Sequence, residues 1–154
     1  MFNVTIVAVG SMRNHHLKGE VQEYIKRIKP FAKIEIIEVP ATPFKNDGEI
    51  ERAKDKEGER IMTILQKRQG DIVMLDEGGR ELDSKEFADF IAGYNTSLTF
   101  VIGGTTGLSQ GLKKAHKAIS LSRLTLPHEL ARVVLLEQLY RAVTMQQKRN
   151  KYHY

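Results

Sequence analysis

Short runs of apolar residues, each about the length of a strand, recur along the chain between longer polar stretches. The runs are rich in β-branched residues, which favour strands of a buried sheet. They are VTIVAV (4–9), IEIIEV (34–39), DIVML (71–75), LTFVI (98–102) and AISL (118–121). We therefore predict five strands at these positions.

The segments between and after these runs carry helical signals. We predict helices over residues 15–29, 49–67, 84–94, 109–116 and 127–147. Ser84 and Ser109 are candidate N-caps, and Pro127 suits the first turn of the last helix. Strands that alternate with helices indicate βαβ units, so the fold class is α/β with a parallel sheet in a single domain.

The last predicted helix is apolar around much of its circumference. Its sequence PHELARVVLLEQLYRAVTMQQ includes four consecutive apolar residues, Val133 to Leu136. At 100° per residue such a pattern is wider than the stripe of a surface helix. Either the helix lies within the core or a second subunit covers it, and we favour a symmetric homodimer.

Composition excludes several classes of protein. The chain has 154 residues, no Cys and five scattered His, so neither disulfides nor a metal site are expected. Its start, MFNVTIVAVG, has no basic leader, and no run of about 18 apolar residues occurs. We expect a cytoplasmic protein that does not associate with a membrane.

Positive charge is concentrated toward the C-terminus. Residues 111–154 hold nine Lys/Arg against Glu129 and Glu137, a net charge of +7, whereas the whole chain carries +5. A solvated basic tail is the ordinary explanation. Clustered cations also make a nucleic-acid partner plausible, because they contact phosphates.

The segment FVIGGTTGL (100–108) raises the question of what its glycines hold. It lacks the G-x-G-x-x-G pattern and is not followed by Gly-Lys-Ser/Thr, so a dinucleotide or P-loop site is disfavoured. A simple strand-to-helix turn explains this segment alone. However, VMLDEGGREL and SLSRLTLPHE also place loops after predicted strands. Ligands of open α/β sheets bind where such loops meet.

Several segments together resemble a known family over essentially the whole chain. They are VAVG, DKEGERI, LDEGG, FVIGGTTGL, SLSRLTLPHELARVVLLEQLYRA and the closing Tyr152-His153. The chain is similar in these segments to the ribosomal RNA large subunit methyltransferase H family. Members of this family are small SPOUT-class enzymes that methylate N3 of a pseudouridine in 23S ribosomal RNA.

The resemblance implies one SPOUT domain over 1–154, with a trefoil knot within about residues 98–154. It also implies that S-adenosylmethionine is the cofactor. The residues expected to bind it are Leu75, Gly103, Gly104, Leu121, Ser122, Arg123, Leu124, Thr125 and Leu126. A loop without phosphate-binding side chains suits this cofactor, which has a sulfonium cation and no phosphate.

Removal of the proton from N3 requires a base or an anion-stabilising group. The catalytic candidates are Arg132, Glu137, Arg141, Tyr152 and His153. We assign His153 as the base, because neutral imidazole is available near pH 7. Glu137 and Arg141 could equally form an i,i+4 pair, and Arg132 could brace an interface or the knot.

The substrate implied by the resemblance is the assembled ribosome, near its intersubunit face. The residues expected to bind it are His128, Lys148, Arg149 and Lys151, with the lysines of 113–117 adding phosphate contacts. Three alternatives remain open: a knotted methyltransferase of another RNA, a non-catalytic ribosome-binding factor of the same fold, and a doubly wound nucleotide-binding protein.

Overall fold

The computed structural model describes residues 2–94 and 96–148. Its strands are β1 (Phe2–Val9), β2 (Ala32–Val39), β3 (Asp71–Glu81), β4 (Ser97–Ile102) and β5 (Lys117–Ser120). Its helices are α1 (His15–Ile28), α2 (Ile50–Leu65), α3 (Ser84–Ala92), α4 (Gln110–Ala115) and α5 (His128–Lys148), and a 3₁₀ turn spans Asp47–Glu49. The five predicted strands and five predicted helices are all confirmed.

The strands form one parallel sheet in the order β2-β1-β4-β3-β5. An apolar core lies on each face of the sheet. Alternate residues of each central strand pack into one core or the other, because successive side chains of a strand point to opposite faces. Ile6 and Phe100 join the core that includes residues of α1, α3 and α5, whereas Val7 and Val101 join the core that includes residues of α2 and α4. The domain therefore has the three layers of an α/β fold, as predicted.

Strand β3 is longer than predicted. After an irregularity between Leu75 and Arg80, Arg80 and Glu81 pair with β5. At Gly79 a Cβ atom would lie 2.8 Å from the backbone of Ala118, so only glycine permits this approach. Leu75 and Arg80 both pair with Ile119, so residues 76–79 leave the ladder as a loop before the strand continues beside β5.

The start of α3 also differs from the prediction. Asp83, not Ser84, is the N-cap, because its side chain accepts the Glu86 N–H at 2.7 Å. The Glu86 side chain accepts the Asp83 N–H in return at 2.9 Å. This capping box satisfies two otherwise unpaired donors. The predicted N-cap of α4 is confirmed, since Ser109 Oγ accepts the Leu112 N–H at 3.3 Å.

Helix α5 lies against α1 and α3 over one face of the sheet. Leu135, Leu136 and Leu139 are almost fully buried within this single chain. Other apolar side chains of α5, including Val133 and Tyr140, are only half-buried. One side of α5 therefore packs into the core of its own chain, which is the first of the two interpretations given for this helix.

Candidate functional site

Three loops meet at the carboxyl ends of three neighbouring strands. They follow β4 (Gly103–Leu108), lie within the irregular part of β3 (Leu75–Glu77) and follow β5 (Leu121–Pro127). Because β4, β3 and β5 are adjacent and parallel, these loops lie at one edge of the sheet. They surround a cavity of about 500 Å³, which is large enough for a cofactor-sized molecule.

The loop after β4, the glycine loop (Gly103–Gly107), folds back on itself. Gly107 has φ +86° and donates its N–H to the Gly104 carbonyl at 3.0 Å. A Cβ atom on Gly103 would lie 2.8 Å from the Gly107 carbonyl carbon. The glycines are therefore required by the backbone geometry of the cavity wall, and the loop presents backbone groups rather than charged side chains.

The loop after β5 is held by hydrogen bonds to itself and to β3. Ser122 Oγ accepts the Leu124 N–H at 2.9 Å, while Thr125 Oγ1 donates to Glu77 Oε2 at 2.7 Å. The second bond joins two of the three loops. Leu124 is 75% exposed, a large apolar side chain left at the rim of the cavity.

The structure brings together almost all of the residues expected to bind a cofactor. Leu75, Gly103, Gly104, Leu121, Ser122, Leu124, Thr125 and Leu126 line the cavity, whereas Arg123 is exposed and is not part of the lining. The lining also contains residues that were not predicted: Asp76, Glu77, Ile102, Thr105, Thr106, Gly107, Leu108, Pro127 and Ala131. Their position next to predicted residues in the same loops was the available signal.

Among the described residues, the ionisable side chains that line the cavity are two acids and one histidine. Its described lining includes Asp76, Glu77 and His128 but neither Lys nor Arg. The Asp76 carboxylate pairs with Lys113 at 3.4 Å, so one of the two acids is already compensated. The lining therefore offers a phosphate neither Lys nor Arg, the cations with which proteins commonly bind it.

His128 lies at the start of α5 and lines the same cavity. Its Cε1 would be 3.3 Å from a Cβ on Gly10, so α5 begins close to the end of β1. The Nδ1 atom is buried and has no hydrogen-bond partner in the structure. His128 therefore lines the cavity, and its role in binding a substrate stays a prediction.

The other predicted residues of α5 lie away from the cavity. Arg132 is 1% exposed and donates to Glu38 Oε2 at 2.6 Å and to the Gly10 carbonyl at 2.7 Å. These contacts brace α5 against the ends of β1 and β2, whereas bracing of an interface or of the knot stays a prediction. Arg141 donates to Glu137 at 2.7 Å, which is the i,i+4 pair that the sequence allowed. Neither Glu137 nor Arg141 lines the cavity of its own chain.

Several predictions concern residues beyond the described part. Arg149, Lys151, Tyr152 and His153, as well as the side chain of Lys148, lie outside it. Within the described part, some of the lysines in and after α4 have polar partners. Lys117 Nζ donates to the Tyr94 hydroxyl at 3.3 Å and pairs with Asp71 at 3.4 Å. The Tyr94 hydrogen bond, followed by the field of Tyr94 and the Asp71 carboxylate, raises the pKa of Lys117.

Neither a metal site nor a membrane-spanning segment is found in the described ranges. Over residues 2–94 and 96–148, no three or more His, Cys, Asp or Glu side chains are grouped so that they could hold a metal ion. In the same ranges, no helix combines the length and the apolar character needed to cross a bilayer.

A fold with three loops around one cavity at the carboxyl edge of a parallel sheet is matched by a known class of proteins. The model of the family described as "Predicted SPOUT methyltransferase" matches residues 2–153. The chain belongs to this SPOUT methyltransferase family and, within it, to the ribosomal RNA large subunit methyltransferase H family.

Curated relatives with that second name are similar over nearly their full length. The protein of Leuconostoc citreum is 44% identical over 153 residues, covering 94% of this chain and 96% of the relative. That of Listeria monocytogenes is 43% identical over 148 residues, covering 91% and 92%. That of Carboxydothermus hydrogenoformans is 42% identical over 147 residues, covering 90% and 92%.

Solved structures of lower identity show the same fold. A probable rRNA methyltransferase from Porphyromonas gingivalis aligns with TM-score 0.58 at 13% identity, covering 94% of this chain and 70% of that one. A probable methylase family protein from Haemophilus influenzae aligns with TM-score 0.55 at 14% identity, covering 98% and 71%. These similarities support the fold, whereas the family assignment rests on the sequence matches.

Proposed function

We propose that the chain transfers a methyl group from S-adenosylmethionine to N3 of a pseudouridine in 23S ribosomal RNA, acting on assembled ribosomes. The observation that carries the proposal is the cavity formed by the three loops. It collects all but one of the expected cofactor residues. The names of the relatives support large-subunit ribosomal RNA as the substrate class.

The chemistry of the cavity fits S-adenosylmethionine. Its volume of about 500 Å³ lies within the range of small-molecule sites, and its walls alternate apolar side chains with backbone groups. The absence of Lys and Arg from the described lining disfavours a nucleotide phosphate and suits a cation. Leu75, Gly103 and the run Leu121–Leu126 would hold the cofactor, with Arg123 outside the lining.

The cofactor supplies an electrophilic methyl group on a sulfonium. The contribution of the chain is to hold the acceptor nitrogen in line with that methyl group, which accounts for much of a rate enhancement in such reactions. The N3 proton must also leave, and His153 is the proposed acceptor because neutral imidazole is a suitable base near pH 7. Tyr152 and His128 would orient the base of the RNA.

A homodimer would complete the site. Glu137 and Arg141 do not line the cavity of their own chain, and Leu124 is left 75% exposed at its rim. A second copy packed along the half-buried side of α5 would cover such apolar groups twice by symmetry. It would also bring the C-terminal residues of one subunit to the cavity of the other. Within each subunit, Arg132 would brace α5.

The basic C-terminal part would contact RNA phosphates without reading sequence. Lys148, Arg149 and Lys151 provide these contacts in the proposal, together with the exposed Lys114 on α4. Because phosphate contacts carry no sequence information, the proposal assigns recognition to the shape of a large partner, the assembled ribosome.

The test is transfer of labelled methyl from S-adenosylmethionine to ribosomes that lack the modification. Assembled ribosomes, isolated large subunits and naked RNA are compared, and the modified base is identified by mass. Label on a pseudouridine of assembled ribosomes is expected. Label on another RNA base would favour a different substrate, and cofactor binding without transfer to any RNA would favour a non-catalytic ribosome-binding factor.

A further inference from the structure

The segment DKEGERI in α2 contains a buried carboxylate that the proposed reaction does not use. Glu57 is 5% exposed and lies on the buried face of α2, between Ala53 and Ile61. Its Oε2 accepts the Thr42 N–H at 2.8 Å. Its Oε1 is buried without a hydrogen-bond partner in the structure. Because buried polar atoms nearly always have partners, this oxygen requires an explanation.

The neighbours of Glu57 place it at the carboxyl edge of the sheet. Arg60, one turn further along α2, donates to the Pro40 carbonyl at 2.9 Å and to Thr42 Oγ1 at 2.7 Å. Both residues follow the end of β2. Helix α2 thus holds the loop after β2 in place. Glu57 therefore lies near the edge of the sheet at which the cavity is formed.

The unpartnered oxygen of Glu57 is directed toward the glycine loop. A Cβ atom built on Gly104 would lie 3.8 Å from Glu57 Oε1 and 2.9 Å from Val9 Cγ1. Gly104 lines the cavity, whereas Glu57 does not. One layer of backbone therefore separates the carboxylate from the interior of the cavity.

The negative charge of Glu57 has no compensating cation in contact. Over the described residues, no Lys, Arg or His nitrogen lies within 4.0 Å of its carboxylate. Arg60 is bonded to the loop after β2 instead. The other acids near the cavity differ, since Asp76 pairs with Lys113 and Glu77 is exposed. A buried charge without a partner is costly unless something else offsets it.

We propose that Glu57 provides the counter-charge for a cationic cofactor, so that the site binds S-adenosylmethionine in preference to S-adenosylhomocysteine. Methyl transfer converts the sulfonium cation into a neutral thioether, which removes the attraction and favours release of the product. The inference rests on the proposed function, because it needs S-adenosylmethionine in the cavity. Glu57 acts through space as a specificity-determining residue and does not touch the reacting atoms.

The test is the affinity of the Glu57→Gln protein for the two ligands, measured by calorimetry without RNA. Glutamine keeps the shape and an oxygen for the Thr42 N–H but removes the charge. At an effective dielectric constant of about 20, a charge interaction across a backbone layer changes an equilibrium by on the order of tenfold. We expect S-adenosylmethionine to bind about tenfold more weakly and S-adenosylhomocysteine to change by less than about twofold.

Three further variants separate charge from structure. Glu57→Asp keeps the charge, so both affinities are expected to fall together while their ratio stays that of the unmodified protein. Arg60→Met loosens the same loop without altering Glu57, and it too should leave the ratio unchanged. Glu59→Gln removes an exposed charge from the same helix and should change neither affinity.

The outcomes distinguish this inference from the proposed function. Equal weakening of both ligands by Glu57→Gln, or no weakening of either, would overturn the inference while leaving the cofactor assignment standing. A changed ratio in Glu57→Asp would also overturn it. If the unmodified protein bound neither ligand, the proposed function would fall and the inference with it.

Discussion

Arg132 and Glu38 join helix α5 to strand β2 through an ion pair of 2.6 Å in which the guanidinium is buried and the carboxylate is half-exposed. Arg132 also donates to the Gly10 carbonyl at 2.7 Å, so the same side chain fixes the end of β1. This contact holds α5 in the position from which His128 faces the cavity. The stability of the site is therefore linked to a residue pair outside it.

Glu38→Ala is expected to destabilise the protein by about 3 kcal/mol, because it leaves a buried cation without its partner. The matched control is Glu35→Ala on the same strand. Glu35 pairs with Arg68 at 3.0 Å, but this carboxylate is exposed and the guanidinium is only partly buried. That control should cost about 1 kcal/mol or less. Urea unfolding of the two variants measures the difference, and equal losses would contradict the bracing role of Arg132.

The second prediction concerns Gly58 in the middle of α2. A Cβ atom there would lie 2.7 Å from Ser109 Oγ, the N-cap of α4 next to the glycine loop. Alanine normally stabilises a helix interior by up to about 1 kcal/mol relative to glycine. Here the clash is expected to dominate, so Gly58→Ala should lower stability by about 1–3 kcal/mol.

The control for this prediction is Gly19→Ala in α1, where nothing lies within 4 Å of the added atom. That variant should be more stable than the unmodified protein, by up to about 1 kcal/mol. The double variant Gly58→Ala with Ser109→Gly should recover part of the loss, because glycine removes the clashing side chain but remains an acceptable N-cap. A stabilised Gly58→Ala protein would show that the two helices do not approach as closely as described.

The third prediction concerns Gly103 in the glycine loop. Gly103→Ala would place a Cβ 2.8 Å from the Gly107 carbonyl carbon and so would open the fold of the loop. We expect affinity for S-adenosylmethionine to fall by at least about tenfold, equivalent to about 1.4 kcal/mol. The control is Gly111→Ala in α4, where the added atom meets nothing within 4 Å. Unchanged affinity of Gly103→Ala in a calorimetric titration would remove the glycine loop from the cofactor site.

Most of the fold could be predicted from the sequence because strand and helix periods are local signals. VTIVAV and LTFVI are buried on both faces, and their lengths and β-branched content indicated strands of a parallel sheet. The extension of β3 could not be predicted, because Gly78-Gly79 reads as a turn and its pairing with β5 is decided at a distance. The trefoil knot implied by the resemblance stays a prediction.

Part of the cavity could also be predicted, because loops that follow adjacent parallel strands meet at one edge of the sheet. The position of Glu57 could not be predicted. Its contacts are with Thr42 and the neighbourhood of Gly104, which only the folded chain brings together. Likewise, nothing in the helical pattern of α5 distinguished Arg132 from the half-exposed Arg141, although one is fully buried.

The fourth prediction concerns the pH dependence of stability through Glu129. Its carboxylate accepts the N–H groups of Asn14 and Arg13, each at 2.9 Å, and thereby holds the start of α1 against α5. The hydrogen bond from Asn14, with that from Arg13 and the fields of His128 and Arg132, lowers the pKa of Glu129 below its usual 4.5. Such a group stabilises the folded state above the pKa of the unfolded chain, and the effect disappears as the pH falls through the folded pKa.

We therefore expect Glu129→Gln to be less stable than the unmodified protein at neutral pH, with the difference vanishing as the pH falls below about 4.5. Urea midpoints measured between neutral and acid pH test this. Glu20→Gln, which removes an exposed acid from α1, serves as the matched control. A difference that persisted at acid pH would mean that the loss is one of packing rather than of charge.

The last prediction concerns the C-terminal residues, which include the proposed base His153. Deletion of residues 151–154 should leave the unfolding midpoint and the affinity for S-adenosylmethionine nearly unchanged, because the core and the cavity described above are formed by residues before 149. Methyl transfer to ribosomes should be abolished, and His153→Ala alone should reduce it by about 100-fold or more if imidazole removes the N3 proton.

The matched control is His116→Ala. The His116 imidazole is not part of the cavity lining, so this variant should leave transfer intact. Retained turnover in the deletion variant would exclude the tail from the mechanism, and it would direct attention to His128, the imidazole that lines the cavity among the described residues.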